Sequence, residues 1–472
     1  MINFADASLN TLIAKGEMDR GITCVETFDF DVVDQIYTPY DNLVLAVTLN
    51  ADATTDKREP GAVRHIPEAL KAIGCTKPFI VCDVNTKKAA WSFVEPVLKQ
   101  AGIEYTLYCF PFEHVEPDEY AMGSLVMHYD VTCDGVMGIG SGVVNDCCKV
   151  LSHKVGVKEL IVGTAPSMDG YASNSSSMIC ERIKVSLYDG APRAIICDID
   201  IIKNAPMRML WAGFGDMLAK YIAICEWRIS NLVTGEYYCE NIAQLMRASL
   251  KKIVENAPGL KTRDEKAVQA TVEGLVLSGV AMSYAGISRP ASGLEHYFSH
   301  LWEMMALDRG TPYELHGIQV GVGTLLTLKL YEQIRKMHPD RKVAEDFIKS
   351  FTDEQWQAMI RDIFGKAAET VILQEHTVFH KNDPARHAKR LDKIIAHWDD
   401  ILRIIDEELP SCESIAAMMR DLGMPTQPED INVTWQDTEK AFIGSRDIRD
   451  KYLSSSMLWD MGLLYTTKLQ RG

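Results

Sequence analysis

The chain has no CxxC pair, although it carries 12 cysteines. Several of them (Cys82, Cys109, Cys197, Cys225) fall inside apolar runs, which reads as reduced, buried thiols of a cytosolic protein rather than a disulfide framework. The adjacent Cys147-Cys148 pair fits helix packing better than metal binding. No run approaches the roughly 18 uninterrupted apolar residues of a membrane span. The opening Met1-Ile2-Asn3-Phe4-Ala5-Asp6 lacks a basic stretch followed by an apolar one, so neither a secretory signal nor membrane insertion is expected. Positive charge is also scarce. With 49 Lys and Arg against 65 Asp and Glu, the net charge is −16, which excludes a nucleic-acid or anionic-membrane partner. An anionic substrate must therefore find a local cluster of Lys and Arg. The dinucleotide fingerprint GxGxxG and the zincin pattern HExxH are absent as well. These absences leave a soluble, cytoplasmic protein acting on small molecules.

At 472 residues the chain exceeds one ordinary core, so two domains are expected. In the first two hundred residues short apolar runs alternate with helical patterns. Strands are expected at Leu43–Thr48, Phe79–Asp83, Tyr105–Phe110, Gly135–Ile139, Glu159–Gly163 and Ala194–Asp198, which implies βαβ units and a mostly parallel sheet. Ser177–Leu187 and Ala194–Ile202 offer an alternative, a hairpin across the mouth of that sheet. After Pro206 helical periodicity takes over, through Met209–Asn231, Glu240–Ala257, Asp264–Gly286, Leu294–Leu307, Gly317–Lys336, Ala385–Glu408 and Ser445–Leu453, among others. The expected architecture is an N-terminal Rossmann-like α/β domain, residues 1–204, followed by an all-α domain, residues 205–472. Ligands of such proteins bind where the carboxyl ends of the strands meet the second domain.

Against this background a few polar groups stand out in order. The loop Gly138-Ile139-Gly140-Ser141-Gly142 follows a strand and precedes a helix. Its glycines Gly138, Gly140 and Gly142 let backbone amides approach a pyrophosphate, and the helix N-terminus favours its charge; an ordinary glycine turn would look similar. Asp83 closes an early strand, where an acid accepts hydrogen bonds from an adenosine ribose and repels a 2′-phosphate, favouring NAD over NADP. The bland reading of Asp83 is a turn aspartate. Thr164–Ser173 is a polar segment, TAPSMDGYAS, after the next strand. Asp216 and Lys220 share one helical face within apolar surroundings, and buried charges need partners such as a metal ion and a phosphate. Gly213 and Gly215 lower helix propensity there without a local reason. His296 and His300 are four apart on a helix and His316 stands at a turn; the same spacing at His376 and His380 shows how readily it arises by chance. Two imidazoles and a carboxylate suit Zn2+, Fe2+ or Ni2+ as a Lewis acid.

Gly140–Asp146, Thr164–Ser173 and Ser288–His296 together resemble the sn-glycerol-1-phosphate dehydrogenases, including the bacterial branch encoded near arabinose genes. These lie within the iron-containing alcohol dehydrogenase and dehydroquinate synthase-like superfamily. Gly213–Lys220 and His316–Gly323 follow in the order that family requires, and the match runs from about Asp83 to about Leu325. The resemblance implies a metal-dependent, NAD(P)-linked reduction of dihydroxyacetone phosphate. Under it Asp216, His296 and His316 would hold the metal, Asp169 would meet the substrate hydroxyls, and His300 would stand near nicotinamide and substrate. Gly140, Ser141, Asn145, Asp146, Thr164 and Ser167 would line the cofactor cleft, and Lys220 and Arg289 would receive the substrate phosphate. A homodimer or larger assembly is the usual form of such enzymes. The chain departs from the family in a long N-terminal lead, a bulky stretch around Lys366–Pro410, and Gly-Ile-Gly in place of tandem glycines. Two other readings stay open: a polyol or sugar-phosphate dehydrogenase or a dehydroquinate synthase-like cyclase on the same scaffold, and a silent nucleotide-binding regulator.

Overall fold

The computed structural model describes residues 61–180 and 183–471, together with four short strand segments before residue 61. Eleven strands are present among the described residues: β1 (Gly16–Glu17), β2 (Thr27–Phe28), β3 (Gln35–Thr38), β4 (Asp41–Thr48), β5 (Pro78–Asp83), β6 (Thr106–Phe110), β7 (Gly135–Gly140), β8 (Lys158–Gly163), β9 (Ser176–Cys180), β10 (Ile183–Leu187) and β11 (Ala194–Asp198). Seven of them form one sheet in the order β3-β4-β11-β8-β7-β5-β6. Only the β3–β4 pairing is antiparallel; the other ladders of this sheet run parallel. The expected sheet and the helical run after it are therefore present.

The central strands β5, β7, β8 and β11 are apolar almost throughout because helices cover both faces. Ile80, Cys82, Met137, Ile139, Leu160, Val162 and Ile196 face one layer, packed with the helices Ile66–Ile73 and Val84–Gln100. Phe79, Val81 and Val136 face the other, against Glu119–His128 and Gly142–Val155. The chain runs outward from β5 to β6 and returns to β7 on the far side of β5. That reversal opens a crevice at the carboxyl ends of β5 and β7, the topological switch point of an open parallel sheet. Asp83 and the Gly140–Ser141 turn stand there.

Four expectations are corrected. Ala194–Asp198 does not form the hairpin arm; it pairs in parallel with β4 and β8, and the hairpin is β9 with β10. The helical stretch Met209–Asn231 is broken at Ala219 into Met207–Leu218 and Lys220–Thr234, and Ala385–Glu408 is broken at His397. Ser445–Leu453 is no helix: the helix begins at Ser454, where the Glu226 carboxylate accepts the backbone N–H at 2.8 Å.

Two compact units account for the chain, residues 1–217 with 239–288, and residues 218–238 with 289–472. The first thus contains the sheet and the long helices Glu240–Asn256 and Glu265–Ala285; the second is helical. Among the described residues no helix is long and apolar enough to cross a membrane, and the described cysteines are free thiols.

Candidate functional site

Within the first unit, β7 runs directly into the helix Gly142–Val155. The glycines of this turn have packing reasons: a Cβ on Gly138 would come within 2.7 Å of Ile161 Cδ1, and one on Gly140 within 2.5 Å of Val144 Cβ. The helix therefore starts close to the strand, with its N-terminal amides and positive dipole end at the switch-point crevice. A Cβ on Gly142 would meet Met168 Cγ at 3.3 Å, so the 164–173 segment lies directly beside this turn.

That segment has almost no regular structure, yet much of it is buried, so its backbone groups need partners. The Thr164 N–H donates to the Gly140 carbonyl at 2.9 Å, and the Ser141 and Ser167 hydroxyls are in hydrogen-bond contact. Asn145, fully buried, donates through Nδ2 to the Gly170 carbonyl at 3.2 Å. Lys149 Nζ donates to the Ser175 carbonyl at 2.6 Å and pairs with Asp146 Oδ1 at 2.8 Å, while Asp146 Oδ2 accepts the Ser177 N–H. Asn145 and Asp146 are thus tied to the polar segment next to the glycine turn. Asp83 N-caps the helix Val84–Gln100: its Oδ1 accepts the N–H groups of Asn85 and Thr86, while Thr86 Oγ1 accepts the Asp83 N–H. This capping box accounts for Oδ1 and explains in part why an acid stands at the end of β5.

Asp169 links the segment to two helices. Its N–H donates to Asp216 Oδ2 at 2.9 Å, and its own Oδ2 accepts from Ser278 Oγ at 2.8 Å. Asp216 is buried on the helix Met207–Leu218. Gly213, one turn earlier, has no room for a side chain, because a Cβ would fall 1.8 Å from the Pro166 carbonyl oxygen. The glycine that looked costly for the helix is what lets the segment lie against it. Gly279 plays a similar part on Glu265–Ala285, where a Cβ would come within 2.9 Å of the Asp169 and Ala172 backbones.

In the second unit, His296, His300 and Glu303 recur along one face of the helix Leu294–Arg309, and His316 opens the helix His316–Ile334. The two helices approach closely because a Cβ on Gly323 would sit 2.5 Å from the Glu295 carbonyl oxygen. The ring of His316 lies 5.3 Å from that of His296 and 5.5 Å from that of His300, centroid to centroid. Ligand atoms of His300, Glu303 and His316 fall within 4.8 Å of one another. Glu295 Oε1 is 2.9 Å from His296 Nδ1, and Glu303 Oε1 is 3.1 Å from His316 Nδ1, to which Ser299 Oγ is also close at 2.9 Å. Both imidazoles therefore engage Nδ1 with protein oxygens. The donor set of this unit fits a divalent metal.

Lys220 is buried and donates to the Ala291 carbonyl at 3.1 Å. Arg289 is also fully buried; its Nε meets both Glu236 oxygens at 3.0 Å, and Nη2 donates to the Tyr452 carbonyl. Lys451 donates to the Ser292 carbonyl at 3.2 Å, and burial, with the Arg289 and Arg449 charges beside it, presses its pKa down to about 7. Burial, reinforced by the Glu295 charge, pushes the Glu226 carboxyl up to about 7. Basic side chains thus surround the turn Arg289–Gly293 that leads into the histidine helix.

Sequence reasoning missed Ser278, Glu295, Glu303, Lys149 and Lys451. Glu303 had a signal, standing three residues after His300 on the same face; Ser278 had none, because its partner is 109 residues away.

The chain matches the iron-containing alcohol dehydrogenase family over residues 57–206. It is 34% identical over 275 residues to a glycerol-1-phosphate dehydrogenase (NAD(P)+) of Halalkalibacterium halodurans, covering 57% of this chain and 69% of that protein. A protein of the same name from Pyrococcus horikoshii is 34% identical over 272 residues, 57% of this chain and 76% of its own length. In fold the chain is similar to an alcohol dehydrogenase from Oenococcus oeni, with a TM-score of 0.52, 14% identity, and coverage of 85% of this chain and 96% of that one. The chain belongs to the glycerol-1-phosphate dehydrogenase family, among the iron-containing alcohol dehydrogenases.

Proposed function

We propose that this protein is a metal-dependent, NAD(P)-linked oxidoreductase that reversibly reduces dihydroxyacetone phosphate to sn-glycerol 1-phosphate. The observation that carries the reading is the likeness to glycerol-1-phosphate dehydrogenases at 34% identity across more than two thirds of their length; those relatives do not favour a cyclase or a polyol dehydrogenase. The α/β part, residues 1–204, would carry the cofactor, and the helical part, residues 205–472, the metal and the substrate. A cytoplasmic location fits the free thiols, and a homo-oligomer is the form expected of such an enzyme.

We assign Asp216, His296 and His316 as metal ligands; Zn2+, Fe2+ and Ni2+ all suit two imidazoles and a carboxylate. When bound, the metal supplies Lewis-acid polarisation of the ketone and the nicotinamide supplies hydride. The remaining work belongs to the chain. Asp169, held by Ser278, orients the substrate hydroxyl, and His300 delivers a proton to the reduced oxygen. Gly138, Gly140, Ser141 and Gly142 receive the pyrophosphate at the helix N-terminus, with Asn145, Asp146, Thr164 and Ser167 shaping that wall. Asp83 takes the ribose and favours NAD, with NADP as the alternative. Lys220 and Arg289 offer positive charge to the phosphate; Arg289 Nη1 makes no hydrogen bond among the described residues. Binding energy from that remote group would hold the carbonyl in line for transfer.

The test is NADH oxidation by the metal-replete enzyme with dihydroxyacetone phosphate, with and without a chelator, followed by chiral analysis of the product. Chelator-sensitive oxidation yielding sn-glycerol 1-phosphate is expected. Tight NAD binding without oxidation of NADH would overturn the substrate assignment.

A further inference from the structure

We propose that Glu295 and Glu303 are positioning residues for the metal: each fixes the tautomer of one ligand histidine, Glu295 for His296 and Glu303 for His316, and together they set how tightly the chain holds a divalent cation. The proposal rests on the reading of His296 and His316 as metal ligands.

Both carboxylates belong to the helix Leu294–Arg309 and are almost entirely buried, at 0% and 1% exposure. Buried carboxylates are rarely tolerated without compensation. Each has an oxygen against an imidazole Nδ1, at 2.9 Å for Glu295 and 3.1 Å for Glu303. An imidazole whose Nδ1–H donates to a carboxylate carries its lone pair on Nε2 and is more basic there, which favours coordination by Nε2. The carboxylates are themselves oriented. Glu295 Oε1 also accepts the Gly293 N–H at 2.7 Å, and Ser299 Oγ lies 2.9 Å from the same His316 nitrogen that Glu303 approaches. A Cβ on Gly293 would come within 2.8 Å of Glu295 Oε2 and of Glu226 Oε2, so a side chain there would displace the carboxylates.

A purely structural role, helix capping by Glu295 or packing by Glu303, would lower stability without changing the metal specifically. Glu295→Gln and Glu303→Gln keep size and an acceptor oxygen while removing the charge. Zn2+ affinity of the metal-free full chain is measured by competition with a chromophoric chelator, the Co2+ form by its visible ligand-field bands, and the metal-free fold by thermal melting. Each variant should bind Zn2+ about 10–100-fold more weakly, with shifted Co2+ bands and a metal-free melting point near that of the parent. Glu303→Asp should recover part of the loss. His296→Ala, run alongside, separates the two ideas. If His296→Ala loses Zn2+ while both Gln variants bind it like the parent, the positioning role is wrong and the ligand assignment stands. If His296→Ala also binds like the parent, the ligand assignment is wrong and this proposal falls with it. Gln variants that lose metal only in proportion to a lower metal-free melting point would show a structural role and overturn the proposal too.

Discussion

Gly213→Ala tests whether close contact between the helix Met207–Leu218 and the 164–173 segment matters for the chemistry. In an open helix the exchange should help, since alanine favours helix over glycine by about 1 kcal/mol. Here the new Cβ would lie 1.8 Å from the Pro166 carbonyl oxygen, and separations under 3.0 Å are essentially never seen. The obstacle is backbone, so the segment must retreat by about an ångström or more. Overpacking of this kind costs typically 1–3 kcal/mol. The retreat also stretches the 2.9 Å bond from the Asp169 N–H to the Asp216 carboxylate, a charged hydrogen bond worth about 1.5–3 kcal/mol. After the propensity gain, a net loss of about 3 kcal/mol is expected. Gly123→Ala is the control: Gly123 lies in the exposed part of the helix Glu119–His128, where a Cβ meets nothing within 4 Å, so it should stabilise by up to about 1 kcal/mol. Thermal unfolding of both variants gives the stability contrast, and NADH oxidation gives the functional one. Displacing Asp169 by about an ångström should lower turnover about 100-fold. If Gly213→Ala melts with Gly123→Ala and turns over like the parent, the packing reasoning is refuted.

Ser278→Ala removes the 2.8 Å donor to Asp169; it should raise the substrate KM about tenfold, and Ser278→Thr should restore most of it. An unchanged KM in steady-state assays would detach Asp169 from the substrate hydroxyl. Lys381 and Lys451 are both pressed down to about 7 by burial, with Arg446 adding to the effect at Lys381. Between that value and the ordinary lysine range the unfolded chain binds protons that the folded chain refuses. Their contribution to stability is therefore full above pH of about 10.4 and lost as pH falls toward 7. Each lysine should add about 1.4 kcal/mol of slope per pH unit in that window, and denaturant unfolding of Lys381→Met from pH 7 to 10 should be flatter than the parent by one such increment. Equal slopes would show that Lys381 is not held neutral in the fold.

Much of the fold was legible because its signals are local. β5, β7, β8 and β11 are buried on both faces and therefore read as apolar runs, and the expected strands differ from those observed mainly at their ends. What failed was decided at a distance. Met209–Asn231 has unbroken periodicity, and nothing in that stretch predicts the break at Ala219. The Ser454 start of the last helix is marked by the carboxylate of Glu226, 228 residues earlier. The hairpin alternative for Ala194–Ile202 turned on whether β4 and β8 would flank it, which hydrophobicity does not encode. At the site, the order of Asp216, His296, His300 and His316 was visible, because spacing along a helix is local. The orienting roles of Ser278 and Glu295 were not, since their meaning depends on which atoms they meet, and Glu303 was marked only by its spacing from His300.

The same reasoning explains how the 164–173 segment is held in place. A buried stretch without strand or helix must find outside partners for its polar backbone, and here those partners are spread over several elements. Asn145 and Lys149 take the Gly170 carbonyl, Tyr171 reaches back to the Ala165 carbonyl at 2.7 Å, Asp216 takes the Asp169 N–H, and Ser283 holds the Ala172 carbonyl at 2.8 Å. Gly213 and Gly279 clear the backbone on two sides. These ties reach backbone groups of the segment, so they restrict the residues that make them, Asn145, Lys149, Asp216 and Ser283. Asp169 stands at its centre, its backbone bound to one helix and its carboxylate to another, which is the preorganisation that the proposed substrate contact calls for. The loop motif and the scattered glycines, unrelated along the sequence, are therefore one structural device.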